Sequence, residues 1–199
     1  VDSFDCEIFF ADAFTFLARP ECRQEGLFRL SGTFSRIQAL QESLKGGKRL
    51  CQLDLDPARE CHNVAGLVKQ TLRQFPHCLL DYALMPGWRE LAKCSANSAE
   101  FSAIFALLHA QLPAVSKQIL AALLVLLRGL LLHRETTRMN ASNLGTVIGP
   151  NLLFGPADGD LGGTLESSTI SSQIVTNLLV NKSESESEIE RIELIAMGV

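Results

Sequence analysis

Arg29 has the setting that most invites chemistry, within the run Glu25-Gly26-Leu27-Phe28-Arg29-Leu30-Ser31-Gly32. Leu27, Phe28 and Leu30 are apolar and suited to anchoring the run on a core. Gly26 and Gly32 let the backbone bend at either end. A guanidinium held outward between such anchors offers a fixed fork of N–H donors and a permanent charge, which matches phosphate. Alone, the run reads first as a surface arginine on a turn, because short motifs recur by chance. Lys69 and Arg73 lie four residues apart, so a helix puts both on one face beside an apolar stripe. Two cations there repel mildly unless an anion is near, and alone they read as a solvated face. Asn151 follows Gly149-Pro150, where the chain is expected to turn, and its amide can serve a partner backbone or a local cap.

The composition bounds what these residues serve. The chain has 199 residues, 47% hydrophobic and 20% charged, ordinary for one globular domain. Runs of alternating β-branched residues are missing, and Leu, Ala, Gln, Glu and Arg dominate the long segments, which predicts an all-α fold. A net charge of -4 and a pI near 5.6 argue against nucleic acid as the main ligand. Six cysteines form no CxxC pair and four histidines no HExxH, so neither a metal site nor a disulfide framework is expected. They read as reduced thiols in a cytoplasmic core. Ile119 to Leu132, broken by Arg128, is too short to span a bilayer and fits a central core helix with no direct membrane insertion. No signal peptide is visible, and a chain opening on Val1 fits an excised piece of something longer.

Periodicity and punctuation supply the frame. A first helix is expected over Cys6–Leu17, then a loop from Glu21 to Phe34 carrying Arg29. Ser35-x-x-Gln38 reads as a capping box opening a helix that Gly46-Gly47 ends. After a polar loop through Asp54, Asp56 and Pro57, Val64, Leu67, Val68, Leu72 and Phe75 repeat at helical spacing up to Pro76. A short helix near Pro86–Lys93, one opened by Asn97-x-x-Glu100, the apolar run after Ser116, and one capped by Asn140 and ending near Gly149-Pro150 follow. A Gly/Asp-rich loop, Gly155–Gly163, leads to a last helix over Leu165–Val180. Residues 1–181 thus form the domain, and 182–199 an acidic Ser/Glu-rich linker or tail. In that tail Ile189, Ile192 and Leu194 leave a short amphipathic helix open.

Taken in register, three segments make the chain resemble a RhoGAP domain. Glu25 to Gly32 is similar to that family's arginine-finger loop. Leu67-Val68-Lys69-Gln70-Thr71-Leu72-Arg73-Gln74-Phe75-Pro76 is similar to its second motif. Met139-Asn140-Ala141-Ser142-Asn143-Leu144, with Gly149-Pro150-Asn151-Leu152-Leu153, is similar to its third. The resemblance covers roughly Ile8 to Asn181 and implies a bundle of about nine helices. It implies that Arg29 is the catalytic finger, and that Lys69, Arg73 and Asn151 line the groove for a GTP-bound Rho-family G protein. It also implies that Lys69 and Arg73 brace the finger loop. GTP and magnesium would belong to the partner, leaving this chain with no cofactor and no complete active site of its own. The chain departs from the family's Pro-Glu-Pro at Pro76-His77-Cys78 and from its Asn-Lys-Met at Thr137-Arg138-Met139. The main alternative is a catalytically weak G-protein-binding module of the same fold. A Ser, Cys or His hydrolase lacks a G-x-S-x-G elbow here. The serine-rich stretch from Ser183 to Glu190 reads first as plain disorder, with phosphorylation as the alternative.

Overall fold

The computed structural model describes residues 5–155 and 161–181, with the side chains of 161–164 outside that description. The loop between Phe154 and the last helix is therefore described only in part, and the tail expected over 182–199, with its serines, lies outside the described residues. Among the described residues there are nine α-helices and no strand. They are α1 (Cys6–Leu17), α2 (Phe34–Lys45), α3 (Pro57–Leu72), α4 (Met85–Lys93), α5 (Ala99–Gln111), α6 (Ala114–Leu132), α7 (Arg134–Thr137), α8 (Ala141–Leu152) and α9 (Leu161–Val180). The all-α bundle of about nine helices is borne out.

Local chemistry explains where several of them begin. The Asp5 carboxylate caps α1 by accepting from the Ile8 amide at 3.1 Å. Asp56 caps α3 at the Ala58 amide, 3.0 Å away, and Pro57 fills its first position. The Asp-Pro pair therefore starts α3 seven residues earlier than the apolar repeat alone predicts. Asn140 caps α8 as expected, accepting from the Asn143 amide at 2.8 Å.

Other starts and ends differ from expectation as well, and α9 begins at Leu161 rather than Leu165. The Ser35–Gln38 capping box does not form, because Thr33 is the N-cap of α2. The Asn63 side chain on α3 accepts from the Thr33 amide at 2.8 Å and pins the chain there. Ser98, not Asn97, caps α5, accepting from the Phe101 amide at 3.1 Å. Helix α8 runs through Pro150 to Leu152, forgoing the one backbone bond that Pro150 cannot donate. Asn151 therefore sits on the last helical turn rather than after it.

Helix α6 is longer than its most apolar run, and by length and composition alone its 19 residues would cross a membrane. Here half of it is buried inside the bundle. Leu123 and Leu127 are fully buried, and Arg128 donates to the Leu178 carbonyl of α9 at 2.9 Å. Ala121 and Ala122 face outward, so α6 forms one wall of the bundle rather than its axis.

The core is continuous, and Trp88, Phe10, Phe28 and Phe101 are its largest fully buried side chains. Helix α1 packs on α3 and α6, and α2 packs on α3. Helix α9 lies along α8 and also meets α4. The α8–α9 pair is very close. A Cβ on Gly149 would come within 2.5 Å of the Ser172 backbone nitrogen, and one on Gly145 within 2.5 Å of the Ser172 carbonyl oxygen. All six cysteines are free thiols, with Cys22, Cys61 and Cys78 buried and Cys51 exposed.

Candidate functional site

The loop holding Arg29 is wound tightly and fastened at several points. Gly26 has φ 70° and Phe28 φ 69°, both in the left-handed region. For a phenylalanine that backbone costs on the order of 1 kcal/mol or more, so the surroundings must hold it. Leu27 and Phe28 are fully buried. The Gly26 amide donates to the Thr137 carbonyl at 2.7 Å, and the Arg29 and Leu30 amides both donate to the Gly26 carbonyl at 2.8 Å. Lys69 Nζ, on α3, donates to the Phe28 carbonyl at 2.6 Å. The residue immediately before Arg29 is therefore clamped from both sides. Leu30 is not the anchor expected, because it is 48% exposed and folds back over Gly26.

Arg29 itself projects from this loop. Its only ion pair among the described residues is a long one to Glu25, 3.9 Å away, and its side chain is 45% exposed. At that distance and exposure the pair contributes little and leaves the guanidinium able to take another anion.

Beside the loop lies a groove of about 560 Å³. Ser31, Gly32 and Phe34 line one end, Lys69, Gln70 and Arg73 its floor on α3, and Val147, Pro150 and Asn151 the wall supplied by α8. Three of the sequence-predicted residues are thus brought together: Lys69, Arg73 and Asn151 share the groove, while Arg29 does not line it and lies two residues before Ser31 in the chain. Gly32 is needed there for space, since a Cβ would lie 2.7 Å from the Asn63 Cα.

The three groove residues play different parts. Lys69 braces the Arg29 loop, while Arg73 does not reach it. Arg73 Nε instead donates to Asn151 Oδ1 at 2.7 Å. Asn151 is 5% exposed, and its Nδ2 donates to the carbonyls of Val147 at 2.8 Å and Ile148 at 3.2 Å. Both ends of that amide are therefore engaged inside the protein, and Asn151 orients Arg73. Burial pushes the Lys69 amine below its ordinary value, and the nearby Arg73 charge adds to the effect. Replacing Lys69 by methionine keeps the apolar stem but orphans the Phe28 carbonyl, a loss of about 1.5–3 kcal/mol. Amide exchange at residues 26–30 is expected to speed up by at least about tenfold while the helical signal stays unchanged. Unchanged exchange would mean that Lys69 does not hold the loop.

Sequence reading missed the second layer. Asn63 Nδ2 donates to Glu60 at 2.9 Å, and Glu60 also pairs with Arg36 at 2.9 Å, tying the start of α2 to α3. The available signal was a polar residue on the buried face of α3. His62 is also part of this layer. Its Nδ1 is buried with no hydrogen-bond partner. Burial lowers its pKa from 6.5, and the Lys69 charge lowers it further. His133 is lowered likewise by burial and by Arg23. The unfolded chain therefore takes up these protons first on acidification. Stability is present above pH of about 6.5 and is lost as pH falls through that value toward the folded pKa values. Thermal melting between about pH 7.5 and 5 should show this fall, and His62→Gln should flatten it; equal slopes would remove His62 as a cause.

The turn after the second motif also departs from family expectation in its geometry. Cys78 has φ 62°, a conformation closed to proline. Its thiol donates to the Phe154 carbonyl at 3.1 Å, so the turn is tied to the end of α8.

Comparison with known proteins places the chain in a family. The model of the RhoGAP domain family matches residues 8–157. Rho GTPase-activating protein gacY of Dictyostelium discoideum is 29% identical over 174 residues, covering 87% of this chain and 24% of that protein. Human Rho GTPase-activating protein 44 is 28% identical over 162 residues, covering 81% of this chain and 19% of its own length. Mouse Rho GTPase-activating protein 10 is 33% identical over 131 residues, covering 65% and 16%. The chain thus spans a quarter or less of these curated relatives. Among solved structures, the BH domain from Graf, the GTPase regulator associated with focal adhesion kinase, superposes with a TM-score of 0.71 at 20% identity, over 97% of this chain and 96% of that one. Human Rho GTPase activating protein 15 superposes with a TM-score of 0.75 at 22% identity, over 92% and 82%. These two likenesses show the shared fold.

Proposed function

Because the chain belongs to the RhoGAP domain family, we propose that it accelerates GTP hydrolysis by a GTP-bound Rho-family small GTPase, of Rho, Rac or Cdc42 type, by inserting Arg29 in trans. The observation that carries this reading is the clamped presentation of Arg29, with Lys69 holding the carbonyl just before it at 2.6 Å. Hydrolysis by such GTPases is slow because charge on the transferring phosphoryl group is poorly balanced, and an arginine donated from outside neutralises it. A pre-set loop spares most of the ordering cost at the moment of reaction.

GTP, magnesium and the water-orienting glutamine belong to the partner in this reading. The chain supplies no cofactor and is a regulator of catalysis rather than a complete enzyme. Lys69 sets the loop, while Arg73, oriented by Asn151, offers the partner a fixed cation in the groove. The same reading places the protein in the cytoplasm, recruited to membranes through its GTPase partner.

Phosphate release from GTP-loaded Rho, Rac and Cdc42-type proteins, followed with and without the domain, tests the proposal. Acceleration of at least one is expected. Binding without any acceleration would instead make this a docking module of the same fold.

A further inference from the structure

We propose that Phe34 is the docking anchor of this face: an aromatic side chain that seats in an apolar depression on the GTPase and sets how tightly it is held. The inference rests on the groove being the GTPase-binding face. Phe34 is 68% exposed, although it is the first residue of a helix whose neighbouring exposed positions are Ser35, Arg36 and Gln38. Single exposed apolar residues are ordinary on protein surfaces. Phe34 differs by its place. Among the described residues, the exposed Leu107, Leu132 and Leu165 do not line the groove and Leu30 folds back over Gly26, whereas Phe34 lines it together with Val147 and Pro150.

Its backbone is also held. The Thr33 amide is bonded to Asn63 at 2.8 Å, Gly32 is seated against α3, and Arg36 is paired with Glu60. The ring therefore projects from the same rigid platform that carries Lys69 and Arg73. An aromatic side chain has few torsions to freeze, so burying it against a partner costs little entropy, and such residues dominate the centres of interfaces. The cations Lys69 and Arg73, which line the same groove as Phe34, call for acidic groups on the partner beside that depression. The surface that fits is apolar at its centre and acidic at its rim.

The experiment measures stimulated hydrolysis against increasing concentration of the GTP-loaded GTPase, for the wild-type domain, Phe34→Ala and Phe34→Leu. Phe34→Ala is expected to raise KM by roughly tenfold with kcat near wild type. Phe34→Leu should fall between. Both variants should melt as the wild type does, because the side chain is outside the core. An unchanged KM overturns the inference, and so does a fall in kcat alone, which would make Phe34 a support of the Arg29 loop. Failure of the family-level reading looks different: the wild-type domain itself then neither binds nor stimulates, and the inference falls with it.

Discussion

Gly149→Ala should destabilise the domain by about 3 kcal/mol, near the upper end for an overpacked core. The added methyl would lie 2.5 Å from the Ser172 nitrogen, 2.6 Å from the Ser171 carbonyl carbon and 2.7 Å from its oxygen. These are backbone atoms of α9 and cannot rotate away, so the two helices must separate. For a domain of this size the change corresponds to a drop of roughly 6–12 °C in melting temperature. Stimulation of the GTPase should fall too, because Asn151 lies two residues further along α8 and orients Arg73. Gly155→Ala is the control: its nearest neighbour would be the Tyr82 hydroxyl at 3.7 Å, an ordinary contact. Melting curves by circular dichroism check both. A Gly149→Ala variant that melts with the wild type would mean that α8 and α9 do not approach as described.

On the proposed function, the largest effect on activity is expected from Arg29→Ala. Loss of a trans-acting arginine removes roughly 10³ to 10⁵ of rate, about 4 to 7 kcal/mol of barrier. The finger acts mainly on charge that develops in the transition state, so affinity for the GTPase loaded with a non-hydrolysable GTP analogue should be largely kept. Arg29→Lys should fail as well, because an ammonium is a point charge and cannot reproduce the guanidinium fork. Titration calorimetry with the analogue-loaded GTPase separates the two roles. Equal loss of binding and stimulation would make Arg29 a docking or folding residue.

Much of the helical frame is legible in the sequence, because apolar spacing and caps such as Asn140 and Gly46 are local signals. Helix α3 shows how the rest escapes. Its stripe was visible from Val64, but its true start depends on reading Asp56-Pro57 as cap and first residue rather than as loop. The start of α2 depends on Asn63, 30 residues away, and no local pattern at Ser35 reports that bond. At the site, grouping Lys69, Arg73 and Asn151 followed from the family resemblance, and the structure brings these residues into one groove. Their division of labour was not legible, since the Arg73–Asn151 bond joins residues 78 apart. Nor was the left-handed backbone at Phe28, because a phenylalanine carries no signal for positive φ. Phe34 was overlooked because the sequence reading left it at the end of the Glu21–Phe34 loop, and neither its place at the start of α2 nor its exposure carries a local signal.

The central claim is that a clamped arginine of this chain completes the active site of another protein. Single-turnover GTP hydrolysis by Rho, Rac and Cdc42-type proteins, with saturating wild-type or Arg29→Ala domain, tests it most directly. Acceleration of at least one GTPase by the wild type is expected, with a return to near the intrinsic rate for the variant. Acceleration that survives the substitution would contradict the claim.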